Sequence, residues 1–137
     1  MTPADMAATY AAAFTQSRPW STQEFQTLLQ SPHVFAAGDQ RAFALVRVIA
    51  DEAELLTIAT DPAFQRQGLA RQVMAGWQAE AARRGAVTAF LEVAADNTPA
   101  INLYESCGFE SCGRRAAYYQ RTQGQAADAL LMQRDLR

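Results

Sequence analysis

The segment Gln-Arg-Gln-Gly-Leu-Ala at residues 65–70 constrains the fold of this chain more than any other. It follows a strand-like run at residues 54–60 and opens a helix-like run that starts near Leu69. A loop of this kind presents several backbone N–H groups at the positive end of a helix, which suits a pyrophosphate. Gly68 lets the backbone approach a ligand closely, and Ala70 is the smallest substitute for a second glycine.

The helix after this loop has one apolar face, which is formed by residues that recur four apart. These residues are Leu69, Val73, Trp77 and Ala81, with Met74 beside them. Two arginines at residues 83–84 and the following Gly85 are typical of a helix end. Residues 87–93 then form an apolar run of the fully buried type. Strand, helix and strand make a βαβ unit, so we expect two parallel strands joined by a right-handed crossover.

Further elements flank this unit on both sides. They are helices from residue 2 to about 15 and from 21 to about 30, strands at 34–37 and 42–49 joined through Gly38-Asp39, a short helix from Asn97/Thr98 to Gly108, and strands at 109–121 and 128–135. Neither a linker nor a repeat interrupts them, so residues 1–137 are predicted to form one domain. The predicted fold is α/β, with a mixed, twisted sheet of about six strands flanked by helices.

Composition excludes several classes of function. Acidic residues number 14 and basic residues 12, and a net charge of −2 argues against nucleic acid as the main partner. All 12 basic residues are arginine, which excludes a Schiff-base lysine and a Walker-type phosphate lysine. Cys107 and Cys112 have neither zinc-pair nor redox-motif spacing and are expected to be free thiols. Neither a signal peptide nor a membrane span is recognisable, which predicts a cytoplasmic protein without a membrane partner.

Glu92 is the main candidate for acid–base chemistry. It is the only charged residue in the apolar run at residues 86–94. A carboxylate beside a buried strand is expected to have a raised pKa, which brings it towards the strength of a general base at neutral pH. The alternative is a strand-end glutamate that is solvated or paired with an arginine, and the sequence does not favour either interpretation.

The short helix after residue 97 supplies a second candidate. Asn97 and Tyr104 lie two helical turns apart and share one face with Ile101. Tyr104 is either a proton donor to a leaving group or, as is more common, a core aromatic residue. His33 is the only histidine, and without a nucleophile elbow or a His/Cys cluster the sequence supports neither a catalytic triad nor a metal site.

These motifs occur together in the order and spacing of a known family. The loop at 65–70, its amphipathic helix, Leu-Glu-Val at 91–93, Asn97 and the segment Ala-Ile-Asn-Leu-Tyr-Glu-Ser-Cys-Gly-Phe at 100–109 resemble the GCN5-related N-acetyltransferases. Pro-Trp-Ser at 19–21, Gly-Arg-Arg-Ala-Ala-Tyr-Tyr at 113–119 and Asp-Ala-Leu-Leu-Met at 128–132 resemble the ribosomal-protein-alanine N-acetyltransferases, the RimI type. The similarity extends over residues 19–135, nearly the whole chain.

The resemblance implies direct transfer of acetyl from acetyl-CoA to the N-terminal amine of a protein, typically the N-terminal alanine of a small-subunit ribosomal protein. Coenzyme A is then expected to enter between two splayed parallel strands. Glu92 matches the general base of the family and Tyr104 matches its general acid. The residues matched to the coenzyme site are Ile58, Ala59, Thr60, Arg66, Gln67, Gly68, Leu69, Ala70, Arg71 and Asn97, and those matched to the acceptor side are Arg115, Tyr118 and Tyr119.

Two departures from the family accompany this match. The first predicted helix begins at residue 2, so the opening strand of the family has little or no room and an edge of the sheet is expected to be missing or replaced. Ala70 also stands where the loop usually has its second glycine, a change that leaves the N–H contact possible.

Several alternatives remain open at the level of sequence. The acceptor can be another amine, such as an internal lysine, a polyamine or an antibiotic, or the chain can be an inert module that binds coenzyme A. A covalent acetyl-enzyme on Cys107 or Cys112 is a third possibility. The acidic residues Asp51, Glu52 and Glu54 either attract a basic acceptor tail or form a simple exposed turn.

Overall fold

The computed structural model describes residues 1–14, 19–119 and 126–137. Within these ranges the elements follow the predicted order. They are α1 (Pro3–Ala13), α2 (Thr22–Leu29), β1 (Val34–Asp39), β2 (Ala42–Ile49), β3 (Glu52–Thr60), a 3-10 turn (Pro62–Phe64), α3 (Leu69–Arg83), β4 (Thr88–Ala94), α4 (Thr98–Ser106), β5 (Glu110–Tyr119) and β6 (Ala127–Asp135). The α/β class predicted from the sequence is confirmed.

One sheet of six strands runs in the order β1-β2-β3-β4-β6-β5. Neighbouring strands are antiparallel except β3 and β4, which are parallel and confirm the predicted βαβ unit. The parallel ladder is short, because it joins only residues 52–54 to residues 88–90. Directly after it, Leu56 is an extra residue on β3, since Leu55 and Thr57 pair with consecutive residues of β2. A bulge of this kind bends its strand, and so it favours separation of β3 from β4 beyond residue 54.

The two faces of the sheet are covered by different helices. One face packs against α3 and α4, and its core includes Trp77 and Met74, which are fully buried. The other face packs against α1 and α2 around Phe25 and Phe43. Among the described residues, this second cluster draws only on α1, α2 and β1 to β3. No helix of the described ranges covers this second face over β4, β6 and β5, and this part of it is called the open face.

The observed boundaries differ from the predicted ones at several places. Helix α1 ends at Ala13 because Phe14 has extended backbone angles, and α2 ends at Leu29. Gly38-Asp39 is not the connection between the first two strands but belongs to β1, and the turn lies at residues 40–41. The carboxylate of Asp39 accepts hydrogen bonds from the guanidinium and backbone of Arg41, which stabilises the later turn and lowers the pKa of Asp39 to about 2. The last two residues of the strand predicted at 109–121 lie outside the described part of the chain.

Arg134 of β6 connects three elements near the end of α4. Its Nη1 donates to the carbonyl oxygen of Cys107 (2.7 Å), where α4 ends, and to Oε1 of Gln78 on α3 (2.5 Å). Gly108 has a φ of +94°, and a Cβ placed on it would lie 2.8 Å from Nε of Arg134. The positive φ favours glycine at this position, and a side chain here would force Arg134 to shift from its two hydrogen bonds.

We expect Gly108→Ala to lower the free energy of unfolding by about 1–3 kcal/mol, because it adds left-handed strain and displaces Arg134. Gly85→Ala is the matched control, since Gly85 has a similar φ of +99° and a Cβ placed on it would meet no described heavy atom within 4 Å. Urea unfolding of both variants measures the difference. Equal destabilisation would show that the contact with Arg134 contributes nothing.

Candidate active site

The gap between β3 and β4 is the centre of the candidate site. Beyond residues 54 and 90 the two strands no longer pair, although β3 continues to Thr60 and β4 to Ala94. Among the described residues, this stretch of β3 pairs with β2 alone, through Ile58, Ala59 and Thr60. Because backbone groups of a strand point alternately to either side, part of the N–H and C=O groups of β3 faces the gap. These groups are available to an extended ligand between the strands.

The loop at residues 65–68 and the first turn of α3 lie at the carboxyl end of β3. Gly68 is the N-cap of α3 with a φ of +77°, and no side chain caps this end. Arg66 also has a positive φ, +63°, which is uncommon for a residue with a side chain. The N–H groups of the first turn have no partner within the helix and lie at its positive end, so they suit an anion.

The side chains of this loop are open to solvent. Gln67 and Arg71 are exposed, as are Arg66 and Gly68. Leu69 and Ala70 are half-buried, and Leu69 packs against the core beneath α3. The structure thus assembles the predicted loop as a backbone cradle with two arginines beside it, which fits a pyrophosphate.

Asn97 has a structural role at the start of α4. Its Oδ1 accepts a hydrogen bond from the N–H of Ala100 (3.3 Å), as expected of an N-cap. Its own N–H donates to the carbonyl of Ala94 at the end of β4 (2.9 Å). Asn97 therefore fixes the direction of α4 relative to β4, and it lies at the same edge of the sheet as the loop before α3.

Tyr104 of α4 lies on the side of the sheet that α3 covers. The residue is only 6% exposed, and its ring contacts Phe109 edge-on with centroids 6.3 Å apart. The ring therefore packs in the core, a placement that both interpretations of the sequence share. The neighbours Leu91 and Val93 on β4 belong to the same core.

Glu92 lies between those two residues on β4 and therefore points to the opposite face of the sheet. Its side chain is half-buried, with 26% exposed, and its Oε1 lies 3.3 Å from Nη2 of Arg115. The structure thus shows the arginine pair that the sequence left as an alternative. Arg115 is 53% exposed and its guanidinium lies 5.2 Å from the centre of the Tyr118 ring.

The structure brings Glu92, Arg115 and Tyr118 together on the open face. Sequence reasoning allowed an arginine partner for Glu92 but did not identify Arg115, because the contact depends on the register of three strands. Ala129 of β6 pairs with both Ala94 and Arg115, which places β5 at the level of the end of β4. The side chain of Tyr119 lies outside the described part of the structure.

A cleft of ≈ 460 Å³ extends from Glu92 over the open face. Its wall combines apolar and acidic side chains from four strands, an arrangement that the sequence analysis missed. The lining residues are Arg47, Ile49, Ala50, Glu52, Ala53, Glu54, Phe90, Leu91, Glu92, Leu131 and Met132. Along β2, β3 and β4 the side chains alternate between the two faces of the sheet, and this pattern can be read from the sequence. The strand register is also needed to identify which residues of different strands share this face.

Other kinds of site are not found in the described ranges. Among those residues, no group of His, Cys, Asp and Glu is arranged to hold a metal ion. Cys107 is half-buried and Cys112 is exposed, and neither forms a disulfide. No helix in the same ranges is long and apolar enough to cross a membrane.

Comparison with known proteins identifies the family. Residues 4–109 match the model of the acetyltransferase (GNAT) family. The [ribosomal protein bS18]-alanine N-acetyltransferase of Escherichia coli K12 is 41% identical over 118 residues, covering 83% of this chain and 79% of that protein. N-alpha-acetyltransferase RimI of Mycobacterium tuberculosis is 37% identical over 134 residues, covering 91% and 81%.

A solved structure extends the likeness to three dimensions. The ribosomal-protein-S18-alanine N-acetyltransferase from Escherichia coli superposes with a TM-score of 0.87 at 36% identity, covering 98% of this chain and 87% of that one. Proteins of this family use acetyl-CoA. The chain therefore belongs to the GNAT acetyltransferase family, is an acyltransferase of the N-acetyltransferase type, and within the family resembles the ribosomal-protein-alanine enzymes.

Proposed function

We propose that this protein transfers acetyl from acetyl-CoA to the N-terminal amine of a protein, and that its acceptor is the N-terminal alanine of a ribosomal protein. The observation that carries the proposal is the gap between β3 and β4, which has an anion-binding helix end at its edge and Glu92 on its open face. The names of the similar enzymes favour a ribosomal alanine as acceptor. Such an acceptor places the reaction in the cytoplasm.

Different residues around the gap bind different parts of acetyl-CoA. The first-turn N–H groups of α3, with Arg66 and Arg71, hold the pyrophosphate. The backbone of β3 at residues 58–60 pairs with the pantetheine arm, and one of its N–H groups stabilises the oxyanion that forms at the thioester carbonyl. Asn97 contributes through the α4 N-terminus that it caps.

Glu92 acts as the general base in this proposal. A protein N-terminal amine has a pKa of about 8, so near pH 7 most of it is protonated and cannot attack a thioester. The carboxylate of Glu92, directly or through a water molecule, accepts that proton on the open face. Arg115 holds the carboxylate in place at 3.3 Å. Removal of the proton gives the amine the lone pair that attacks the acetyl carbonyl.

Tyr104 acts as the general acid from the other side of the gap. It lies on α4, which covers the opposite face of the sheet from Glu92. Its hydroxyl donates a proton to the coenzyme A thiolate as the carbon–sulfur bond breaks. Proton donation of this kind typically contributes about 10²–10⁴-fold in rate. Base and acid are thus separated by the gap in which the thioester lies.

A direct assay tests the proposed reaction. We expect the purified protein, mixed with acetyl-CoA and a peptide that starts Ala-Arg, to release coenzyme A thiol and to add one acetyl group to the peptide N-terminus. An N-blocked peptide is the control and must remain unmodified. Binding of acetyl-CoA without thiol release would favour an inert coenzyme module. Acetylation of a lysine peptide or a polyamine in preference to the N-terminal amine would assign the enzyme another acceptor.

We expect Gly68→Ala to weaken the binding of acetyl-CoA about ten-fold, because a residue with a side chain disfavours the φ of +77° that directs the first N–H groups of α3. Calorimetric titration measures the dissociation constant. Gly85→Ala changes a glycine of similar φ at the far end of α3 and leaves the affinity unchanged. Equal affinities for both variants would show that Gly68 does not contribute to the coenzyme site.

We expect Glu92→Gln to lower turnover about a hundred-fold near pH 7. Near pH 9 the acceptor amine is already deprotonated, and the decrease in turnover is much smaller. Turnover of the variant rises with pH because a larger fraction of the amine is neutral and needs no base. Turnover measured across this range, with Glu105→Gln as the isosteric control on the exposed side of α4, tests the role. A Glu92→Gln variant with wild-type turnover at every pH excludes Glu92 as the base.

A further inference from the structure

We propose that the cleft beside Glu92 binds the acceptor polypeptide beyond its N-terminal residue and selects acceptors with basic side chains there. This inference rests on the proposed function, because it takes Glu92 as the point where the acceptor amine lies. The cleft is continuous with that point, since Glu92 is itself one of the lining residues. A segment that enters the site over this face has no described helix in its way, because α1 and α2 cover β1 to β3.

Strand register places one set of side chains on the floor of the cleft. Arg47 pairs with Glu54 and Ile49 with Glu52 across β2 and β3, and the parallel ladder continues this face to residues 88 and 90 of β4. Glu92 pairs with Leu131 of β6 and completes the set. Partners in a register lie on the same face of a sheet, so these side chains form one continuous surface.

The charge of this surface favours a cationic ligand. Its lining includes three carboxylates, those of Glu52, Glu54 and Glu92, and one guanidinium, that of Arg47, which gives a net charge of −2. Arg47 is bound to Glu54 at 2.6 Å, and Arg115 at the rim is bound to Glu92 at 3.3 Å. Acidic charge therefore remains in excess at the Glu52 end of the cleft, which is the end away from the candidate base.

The apolar part of the cleft distinguishes a peptide from a free ion. Ile49 is 52% exposed, although it is a large aliphatic residue, and Phe90 and Leu131 are half-buried beside it. An arginine or lysine side chain has a long apolar stem and a charged end, so it covers such a floor while its charge reaches the acidic rim. The combination matches a basic peptide segment better than a small polar ion.

The distance from Glu92 to Glu52 determines which acceptor residues lie over the acidic end of the cleft. Glu52 lies at the level of Thr88 on the sheet, and Glu92 lies four residue steps further along β4, a distance of about 13 Å. An extended peptide covers the same distance in about four residues. An acceptor whose first residue lies at Glu92 therefore places its fourth and fifth residues over Glu52 and Ile49.

The test compares three peptides that differ only at those positions: Ala-Ser-Ser-Arg-Arg-Ser, Ala-Ser-Ser-Gln-Gln-Ser and Ala-Ser-Ser-Glu-Glu-Ser, each amidated at the C-terminus. We expect kcat/KM for the Arg peptide to exceed that for the Gln peptide about five-fold, mostly through KM, and the Glu peptide to be the poorest. The preference decreases between about 0.05 M and about 0.5 M salt, because the charges are screened.

The variant Glu52→Gln/Glu54→Gln assigns the preference to the cleft. We expect it to reduce the ratio of kcat/KM for the Arg peptide to kcat/KM for the Gln peptide to about one. Glu105→Gln changes charge on α4, against the other face of the sheet, and keeps the ratio of the wild type. Ile49→Ser raises KM for the Arg peptide without any change of charge. Thermal unfolding of each variant confirms that it is folded.

The outcomes separate this inference from the proposed function. Acetylation of all three peptides at equal kcat/KM would support N-terminal acetylation but contradict selection of basic acceptor residues by the cleft. A preference for arginine that survives Glu52→Gln/Glu54→Gln also overturns it. No acetylation of any Ala-initiated peptide overturns both proposals. A concentration-dependent dimer in light scattering that Ile49→Ser dissociates, with no preference among the peptides, assigns the cleft to a second copy of the chain instead.

Discussion

The early end of the hydrogen-bond ladder between β3 and β4 is the constraint on which the rest of the site depends. The ladder joins only residues 52–54 to residues 88–90, and the bulge at Leu56 follows at once. A full ladder would satisfy the backbone of both strands and leave an extended ligand nothing to pair with. The same stretch of β3 remains anchored by its antiparallel ladder with β2, so the gap can exist without loss of the strand.

The alternation of side chains along β4 places its core residues and the candidate base on opposite faces of the sheet. Leu91 and Val93 point into the core beneath α3 and α4, and Glu92 between them points to the open face. Burial of the two aliphatic neighbours fixes the strand, because a slip of one residue would bury the carboxylate and expose both of them. The position of Glu92 is thus a consequence of core packing. The strand determines the face to which its side chain points, and the contact with Arg115 orients the carboxylate further.

Local signals allowed the order of elements, the βαβ unit and the loop before α3 to be predicted from the sequence. The capping residues, the four-residue apolar period of α3 and Gly68 each act within a few neighbours along the chain. The turn at residues 40–41, the Glu92–Arg115 pair and the cleft were missed for one physical reason. Each depends on which residues of separate strands face one another, and that register is determined by packing of the whole sheet.

Strand β6 connects the two halves of this arrangement, although it contributes none of the proposed catalytic groups. It lies between β4 and β5 in the sheet, so its register sets the distance from Glu92 to Arg115. Through Arg134 it also binds the end of α4, which carries Tyr104, and Gln78 of α3, whose first turn is the proposed anion site. The strand that carries the proposed base, the helix that carries the proposed acid and the helix proposed to bind the anion all contact β6. A displacement of β6 would therefore change all three positions together, and the contacts of Arg134 oppose such a displacement.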